Sequence, residues 1–178
     1  MSDRTSNEQM RRLVDRAEIQ DLLFRYCRGV DRCDVETIRS AYHPDSYDDR
    51  GYWRGNGHEF ATFIADRLAR ANSATTHSVT NILIDIAGDT ATSECQVRAT
   101  LVRRDEPVID VVGARYLDRL TRRDGAWRIA HRTVVLDWRT TEDGSATTAP
   151  FAVDDFVRGR RHPDDPVYAL LHGAPPRK

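Results

Sequence analysis

The chain has few cysteines, almost no net charge and no long hydrophobic run. Cys27, Cys33 and Cys95 are odd in number and lack CxxC spacing, which argues against a disulfide framework and a zinc site. Lysine plus arginine (27) nearly cancel aspartate plus glutamate (28), so the positive field that nucleic-acid binding needs is missing. No apolar run approaches the roughly 18 residues of a membrane span. We therefore predict reduced thiols, no metal site, and neither nucleic acid nor membrane as a partner.

The length and the N-terminal residues bound the class of protein further. A chain of 178 residues with 39% hydrophobic residues suits one globular domain with a sizeable core. The first residues, MSDRTSNEQ, lack the charged-then-apolar pattern of a signal peptide, so we expect a cytoplasmic protein.

Apolar residues in the first third recur at helical spacing and predict a helix over residues 7–30, with the stripe Ile19, Leu22, Leu23, Tyr26, Cys27 and Val30. Gly29 suggests a break, and Asp34 is placed to cap a short second helix. Phe60, Ile64 and Leu68 predict a third helix over residues 57–71. The intervening HPDSYDDRGYWRGNG has the composition of a loop holding at most a short strand, and its acids and histidine favour turns over metal ligation.

From Thr75 onward the pattern becomes β-rich. Turn signals at residues 88–89, 105–107 and 124–125 separate four long strands in hairpin succession, over residues 76–87, 90–103, 108–121 and 126–139. Helices followed by such a meander predict an α+β fold, in which a strongly curved antiparallel sheet packs against three N-terminal helices. We assign residues 1–140 to this domain and residues 141–178 to a C-terminal extension. The apolar residues of the extension predict that it docks on the domain or on a neighbouring subunit.

Three stretches carry a resemblance to a known family: RAEIQDLLFRYCRGVDRCD, THSVTNILI and GAWRIAHRTVVLDW. Over roughly residues 10–140 the chain resembles the SnoaL-like branch of the nuclear transport factor 2-like superfamily. The resemblance implies a cone, with a pocket between the curved sheet and the helices. Because the superfamily includes dehydratases, a dehydrochlorinase, isomerases, cyclases and non-catalytic subunits, the fold alone does not name the chemistry.

Asp31 and His77 are the leading candidates for a catalytic pair. Asp31 follows Cys27 by four residues, so a helix that continues one residue beyond Val30 would place its carboxylate on the apolar face. If the helix ends at Val30, Asp31 lies beyond it and is solvated or caps the helix. Taken alone, a histidine at the edge of a strand, such as His77, is more often a surface or satisfied core residue than a catalytic one. In the dehydratases and the dehydrochlorinase of the family, an aspartate at the GVD position hydrogen-bonds a histidine at the start of a strand. The resemblance therefore implies an Asp31–His77 base dyad.

The resemblance implies assisting residues as well. Tyr26 matches a catalytic tyrosine of one dehydratase, although it also fits a core position, and Arg132 matches an active-site arginine of the dehydrochlorinase. Strand alternation allows only one of His131 and Arg132 to point inward, and we favour Arg132. The predicted substrate-binding residues, which lie near the implied pocket mouth or on the last strand, are Tyr47, Tyr52, Trp53 and His131.

The sequence thus predicts a cofactor-independent lyase that performs a dehydratase-like elimination on a hydrophobic, oxygenated small molecule. An isomerase or polyketide-type cyclase would begin with the same proton abstraction. In a non-catalytic ligand-binding or assembly subunit, the polar pair would be a structural hydrogen bond. We also expect a homo-oligomer, dimer or trimer, formed through the outer face of the sheet.

Overall fold

The computed structural model describes residues 2–145 and 156–173, with side chains from residue 6 onward. Its helices are α1 (Ser2–Arg32), α2 (Val35–Ser40), α3 (Gly57–Ala71) and α4 (Pro166–Leu171). Its strands are β1 (Tyr42–Asp49), β2 (Arg54–Gly55), β3 (Asn72–Ala87), β4 (Thr90–Arg103), β5 (Val108–Arg123) and β6 (Ala126–Asp143). They form one curved sheet in the order β2-β1-β6-β5-β4-β3, which confirms the predicted α+β class.

Helix α1 continues past the break that Gly29 suggested. It ends where Cys33 adopts a positive φ of 54°. The Asp34 amide then donates to the Gly29 carbonyl at 2.9 Å and the Cys33 amide to the Val30 carbonyl at 3.2 Å, which closes the helix with a Schellman motif. Gly29 serves a different purpose, because a Cβ there would lie 3.0–3.1 Å from Thr37 and Ile38 of α2. The extension of α1 brings Asp31 inside the helix.

Helices α2 and α3 each begin after a residue whose side chain caps the helix. Asp34 accepts a hydrogen bond from the Thr37 amide at 3.0 Å, as the sequence predicts for an N-cap. Asn56 does the same for the His58 amide at 2.8 Å, and α3 has the predicted bounds. Both α2 and α3 pack against β1, and α3 also contacts β3.

The segment after α2, predicted as a loop holding at most a short strand, forms strand β1 from Tyr42 to Asp49. Strand β1 runs parallel to β6, with Tyr47 opposite His131 and Asp48 opposite Arg132, so the sheet is mixed. The composition of HPDSYDD suggested turns, but most of its polar side chains have hydrogen-bond or ion-pair partners, although the buried Ser46 hydroxyl has none among the described residues. Asp48, for example, is fully buried and accepts from the Tyr42 hydroxyl at 2.6 Å. Satisfied polar groups allow this segment to be a strand.

The core lies between the helices and the inner face of the sheet. Leu23, Ile64 and Leu68 are buried there as predicted, and Leu22 packs at its edge. Within the described residues, no helix has the length and hydrophobicity needed to cross a bilayer.

Candidate active site

Asp31 and His77 come together where the last turn of α1 packs against β3. Asp31 follows Leu23 and Cys27 on the buried face of the helix, and it is only 8% exposed. His77 lies near the start of β3, opposite Ala99 of β4. Both side chains retain a small exposed fraction, 11% each, so the pair borders solvent without facing it openly.

The Asp31 carboxylate is held by two groups of His77. Its Oδ2 accepts from the His77 backbone amide at 2.9 Å, and its Oδ1 lies 2.6 Å from the imidazole Nδ1. Because an ionised carboxylate only accepts, the Nδ1 atom carries the proton in this contact. In the neutral ring, Nε2 therefore has the free lone pair. This is the arrangement of an oriented base, whose cation the carboxylate stabilises after it takes up a proton.

The backbone of Asp31 is anchored by the C-terminal segment. Arg161 donates through Nη1 to the Asp31 carbonyl and, at 2.8 Å, to the Thr75 hydroxyl. Its Nη2 donates to the Asn72 carbonyl at 3.2 Å. Arg161 thus ties the end of α1 to the start of β3, the two elements that carry the dyad.

Further contacts hold the segment of residues 156–173 against the same end of α1. The His162 amide donates to the Arg32 carbonyl at 2.7 Å, and the Arg32 side chain lies 3.0 Å from the Asp165 carboxylate. Tyr168 donates its hydroxyl to Asp34 at 2.8 Å. The segment therefore docks through polar contacts, whereas its apolar Leu170 and Leu171 remain exposed and Phe151, also expected to dock, lies outside the described residues.

A cleft of about 360 Å³ opens beside the dyad. We call it the dyad cleft, and its walls are Phe24, Cys27, Arg28, Asp31, Arg32, His77, Ser78 and Val79. Its volume falls within the usual range of small-molecule sites, about 300–1,000 Å³.

Tyr26 and Arg132 lie deeper, in a buried cluster of aromatic and charged groups. The Arg132 guanidinium sits 4.4 Å from the Tyr26 ring centre and 4.1 Å from that of Tyr116. It donates through Nε and Nη2 to Asp118, both at 2.7 Å, while its Nη1 has no hydrogen-bond partner in the described part of the chain. Burial raises the pKa of the Tyr26 phenol, although Arg50 and Arg132 act to lower it.

Cys27 stands between this buried cluster and the dyad cleft. Burial raises the pKa of its thiol to about 12, and the charges of Arg132 and Asp31 both act on it, one lowering the pKa and the other raising it. Cys27 also forms part of the cleft wall. The structure therefore brings Asp31 and His77 together, and separately Tyr26 and Arg132, with Cys27 adjacent to both pairs.

A β-bulge decides which of His131 and Arg132 faces inward. Leu120 pairs with Ile129, but Arg119 pairs with His131, so Ala130 is the extra residue on β6. The bulge shifts the alternation by one position, and Arg132 is fully buried beside Asp118, its partner in the register. His131 points outward, where it stacks on Tyr47 with ring centres 5.4 Å apart. Arg132 is thus the residue that faces the interior, and His131 and Tyr47, both predicted to bind substrate, do not form part of the dyad cleft wall.

Tyr52 and Trp53 also lie away from the dyad cleft. Trp53 packs on Phe60 and Phe63 of α3, at 5.0 and 6.1 Å between ring centres. Tyr52 is 61% exposed and contacts Arg67. These side chains secure the loop before α3, so the structure does not place them as walls of the dyad cleft.

Sequence reasoning missed Arg50, Asp118 and Arg161. Arg50 is held by Asp48 at 2.9 Å and donates to the Tyr26 hydroxyl at 2.6 Å. Asp118 could have been found by counting the β5–β6 register from the turn at residues 124–125, but only with the bulge known. Arg161 is 130 residues from Asp31, and no local pattern links them. Among the described residues, no three histidine, cysteine or acidic side chains cluster as metal ligands would.

Comparisons with known proteins agree with this architecture. A family model described as a SnoaL-like domain matches residues 11–133, which confirms the resemblance seen in the motifs. No curated protein matches the chain. The solved structure of a type 2 hexachlorocyclohexane dehydrochlorinase is 24% identical, with a TM-score of 0.72, and covers 80% of this chain and 98% of its own.

Two further solved structures have the same fold. A protein assigned as a scytalone dehydratase from Novosphingobium aromaticivorans is 20% identical, with a TM-score of 0.67, over 78% of this chain and 93% of its own. A protein of unknown function from Mycobacterium tuberculosis is 27% identical, with a TM-score of 0.62, over 71% of this chain and 74% of its own.

Proposed function

The chain belongs to the SnoaL-like domain family, and from that premise we propose that it is a cytoplasmic, cofactor-independent lyase of the dehydratase type. The proposed substrate is a hydrophobic, oxygenated small molecule with an acidic C–H bond and a leaving group on the neighbouring carbon. His77 is the proposed base and Asp31 its orienting partner. Dehydrochlorination and dehydration, named for two of the structural relatives, are both eliminations of this kind.

The observation that carries the proposal is the pair of contacts between Asp31 and His77. With the Nδ1 proton held by the carboxylate, Nε2 accepts the proton from carbon. The C–H electron pair forms the new double bond, and the leaving hydroxide takes up a proton to depart as water. General acid–base catalysis of this kind contributes about 10²–10⁴-fold in rate.

Tyr26 and Arg132 are the proposed assistants for departure of the leaving group. Arg50 donates to the Tyr26 oxygen at 2.6 Å, which leaves the phenolic proton available for another acceptor. The unpartnered Nη1 of Arg132 is a second donor in the same cluster. This role requires a substrate to reach the buried Tyr26 and Arg132 past Cys27, which forms part of the dyad cleft wall.

One observation favours a non-catalytic ligand-binding subunit as a second candidate. Both oxygens of Asp31 are already occupied by His77, and the contact joins α1 to β3, which is also what a purely structural hydrogen bond would do. Tyr26 and Arg132 do not form part of the dyad cleft wall. Isomerisation and cyclisation remain variants of the proposed chemistry, since both begin with the same proton transfer.

The test measures proton abstraction without presuming the product. The protein is incubated in D₂O with a panel of β-hydroxy ketones, acids and esters, and mass spectrometry follows deuterium uptake at the α-carbon and loss of water. Loss of water identifies a lyase, with or without exchange, because elimination consumes the α C–H bond. Exchange without loss of water identifies an isomerase or cyclase. Absence of both signals across the panel, with ligand binding retained, would favour the binding subunit.

We further propose a homo-oligomer paired through the outer face of the sheet. Leu83 is 65% exposed there, and it borders the same surface groove as His131 and Thr133. Light scattering at micromolar concentration tests this, because a purely monomeric species would contradict it.

A further inference from the structure

Arg28 is the one charged residue of the dyad cleft that has neither an ion pair nor a hydrogen bond among the described residues. It lies on α1 three residues before Asp31 and forms part of the dyad cleft wall. Its side chain is partly exposed, yet its Nε atom is buried and has no hydrogen-bond partner in residues 6–145 and 156–173. A buried guanidinium nitrogen without an acceptor is costly, so its retention calls for a ligand that supplies one.

The neighbouring arginines differ from Arg28 because each forms an ion pair with a carboxylate. Arg25 pairs with Asp21 at 2.5 Å, and Arg32 lies 3.0 Å from Asp165, although the Arg32 Nε atom, like that of Arg28, makes no hydrogen bond within the described residues. The positive charge of Arg28 acts to lower the pKa of the Tyr168 phenol. Burial and the bond to Asp34 raise the pKa of that phenol, so it stays neutral and offers Arg28 no negative charge.

The charges in the cleft wall leave Arg28 available. The wall contains one carboxylate, that of Asp31, and His77 occupies both of its oxygens. Arg32 is held by Asp165. The uncompensated charge of the dyad cleft is therefore positive and belongs to Arg28. On the same helix face, one turn earlier, Phe24 is 50% exposed and supplies apolar contact area.

We propose that the dyad cleft takes substrates with an anionic group, a carboxylate or a phosphate, which Arg28 binds while Phe24 contacts their apolar part. This inference rests on the proposed function, and it narrows the substrate from any hydrophobic oxygenated molecule to an amphipathic anion. Arginine suits the task because its planar fork donates two parallel hydrogen bonds to either group. Its charge also offsets that of the anion, which would otherwise disfavour the carbanion-like transition state.

The test uses three small probes that differ in charge. Phenylacetate, its neutral isostere phenylacetamide, and phenyl phosphate are titrated into the full chain, and NMR follows the His77 imidazole and Phe24 ring signals. We expect at least one anion to bind about tenfold or more tightly than the amide, because charge-assisted hydrogen bonds are roughly twice as strong as those between neutral groups. The tighter anion identifies carboxylate or phosphate as the preferred group.

Two variants and a control locate the effect. Arg28→Gln should remove the preference for anions, and Arg28→Lys should retain part of it, since a lysine keeps the charge but not the fork. Arg25→Gln, an exposed control three residues earlier on α1, should bind the probes like the wild type. Thermal melting of each variant verifies the fold, and Arg28→Lys provides a second test if Arg28→Gln unfolds.

Equal binding of the amide and both anions would overturn the inference, and so would failure of every probe to bind. An anion preference that survives in Arg28→Gln would place the anion elsewhere and overturn it too. The outcome is separable from that of the lyase proposal, because His77→Ala should abolish proton abstraction but keep the anion preference. An anion site without any turnover would leave this inference standing and defeat the lyase.

Discussion

The Asp31 carboxylate accepts two hydrogen bonds from His77, one from the backbone amide at 2.9 Å and one from the ring Nδ1 at 2.6 Å. The first contact fixes where the strand residue sits relative to α1, and the second fixes the rotation and the tautomer of the ring. A substitution at Asp31 therefore disturbs both position and proton state of the base. The consequences can be measured separately.

Asp31→Asn should allow both tautomers of the neutral His77 imidazole. It should also lower the rate of proton abstraction by about 10²–10⁴-fold, since an amide cannot stabilise the imidazolium as a carboxylate does. Nitrogen-15 NMR of the neutral imidazole should show Nδ1–H in the wild type and a mixture in the variant. The loss of rate should not add to that of His77→Ala, because the two residues act as one unit. Multiplicative losses would indicate independent roles.

Arg161→Gln should loosen the C-terminal segment from the end of α1. The substitution removes charge-assisted hydrogen bonds to the Asp31 and Asn72 carbonyls and to Thr75. We expect a loss of about 1–3 kcal/mol in the free energy of unfolding and faster amide hydrogen exchange in residues 156–173. Arg98→Gln, on the exposed side of β4, is the control. Unchanged exchange in the segment would show that Arg161 does not hold it.

The buried pair of Asp118 and Arg132 should be far more sensitive than a surface pair. Both side chains are fully buried, so Asp118→Ala leaves an unpaired charge in the core and should cost about 3–5 kcal/mol. The control is Asp137→Ala, whose partner Arg115 is about one-third exposed, and its cost should stay below about 1 kcal/mol. Denaturant unfolding measures both, and similar costs would contradict the placement of Arg132.

Asp110 should make the free energy of unfolding depend on pH in the acidic range. Hydrogen bonds from Arg103, and further ones from Arg139 and Thr141, hold the pKa of Asp110 below its ordinary value, although burial opposes them. A lowered folded-state pKa gives stability that is complete above the unfolded pKa of about 3.9 and is lost as the pH falls below it. Asp110→Asn should therefore differ most from the wild type near neutral pH.

The control for that prediction is Asp105→Asn, at an exposed turn position close in sequence. Denaturant unfolding at several pH values should show the gap between the wild type and Asp110→Asn narrowing below about pH 4. A gap that is constant with pH would mean that the carboxylate does not titrate as these contacts require.

Most of the fold was predictable because its periodicities are local. The apolar spacing of α3 gave its bounds, and the turn pairs gave the hairpins of β3 to β6. Strand β1 was not predictable, since it pairs with the distant β6, and His43 and Asp45 bond to Thr121 and Arg123, each 78 positions further along the chain. The end of α1 was misjudged for a related reason: Gly29 allows close approach of α2, a tertiary demand that a single segment does not reveal.

The site was predictable only in part. The motifs around Asp31 and His77 pointed to a pair, and the structure places them in contact. The inward orientation of Arg132 depends on the bulge at Ala130, and neither sequence alternation nor neighbouring apolar residues signals an inserted residue. Arg161 reaches Asp31 from the far end of the chain, so only the folded structure shows that contact.

The most direct measurement is the rate of α-proton loss, by exchange or by elimination, for His77→Ala and the wild type on the substrate that the D₂O panel identifies. If His77 is the base, His77→Ala loses about 10²–10⁴-fold in this rate while keeping its melting temperature. His172→Ala, at an exposed histidine beyond α4, should react like the wild type. Proton loss with His77→Ala at close to the wild-type rate would show that another group takes the proton.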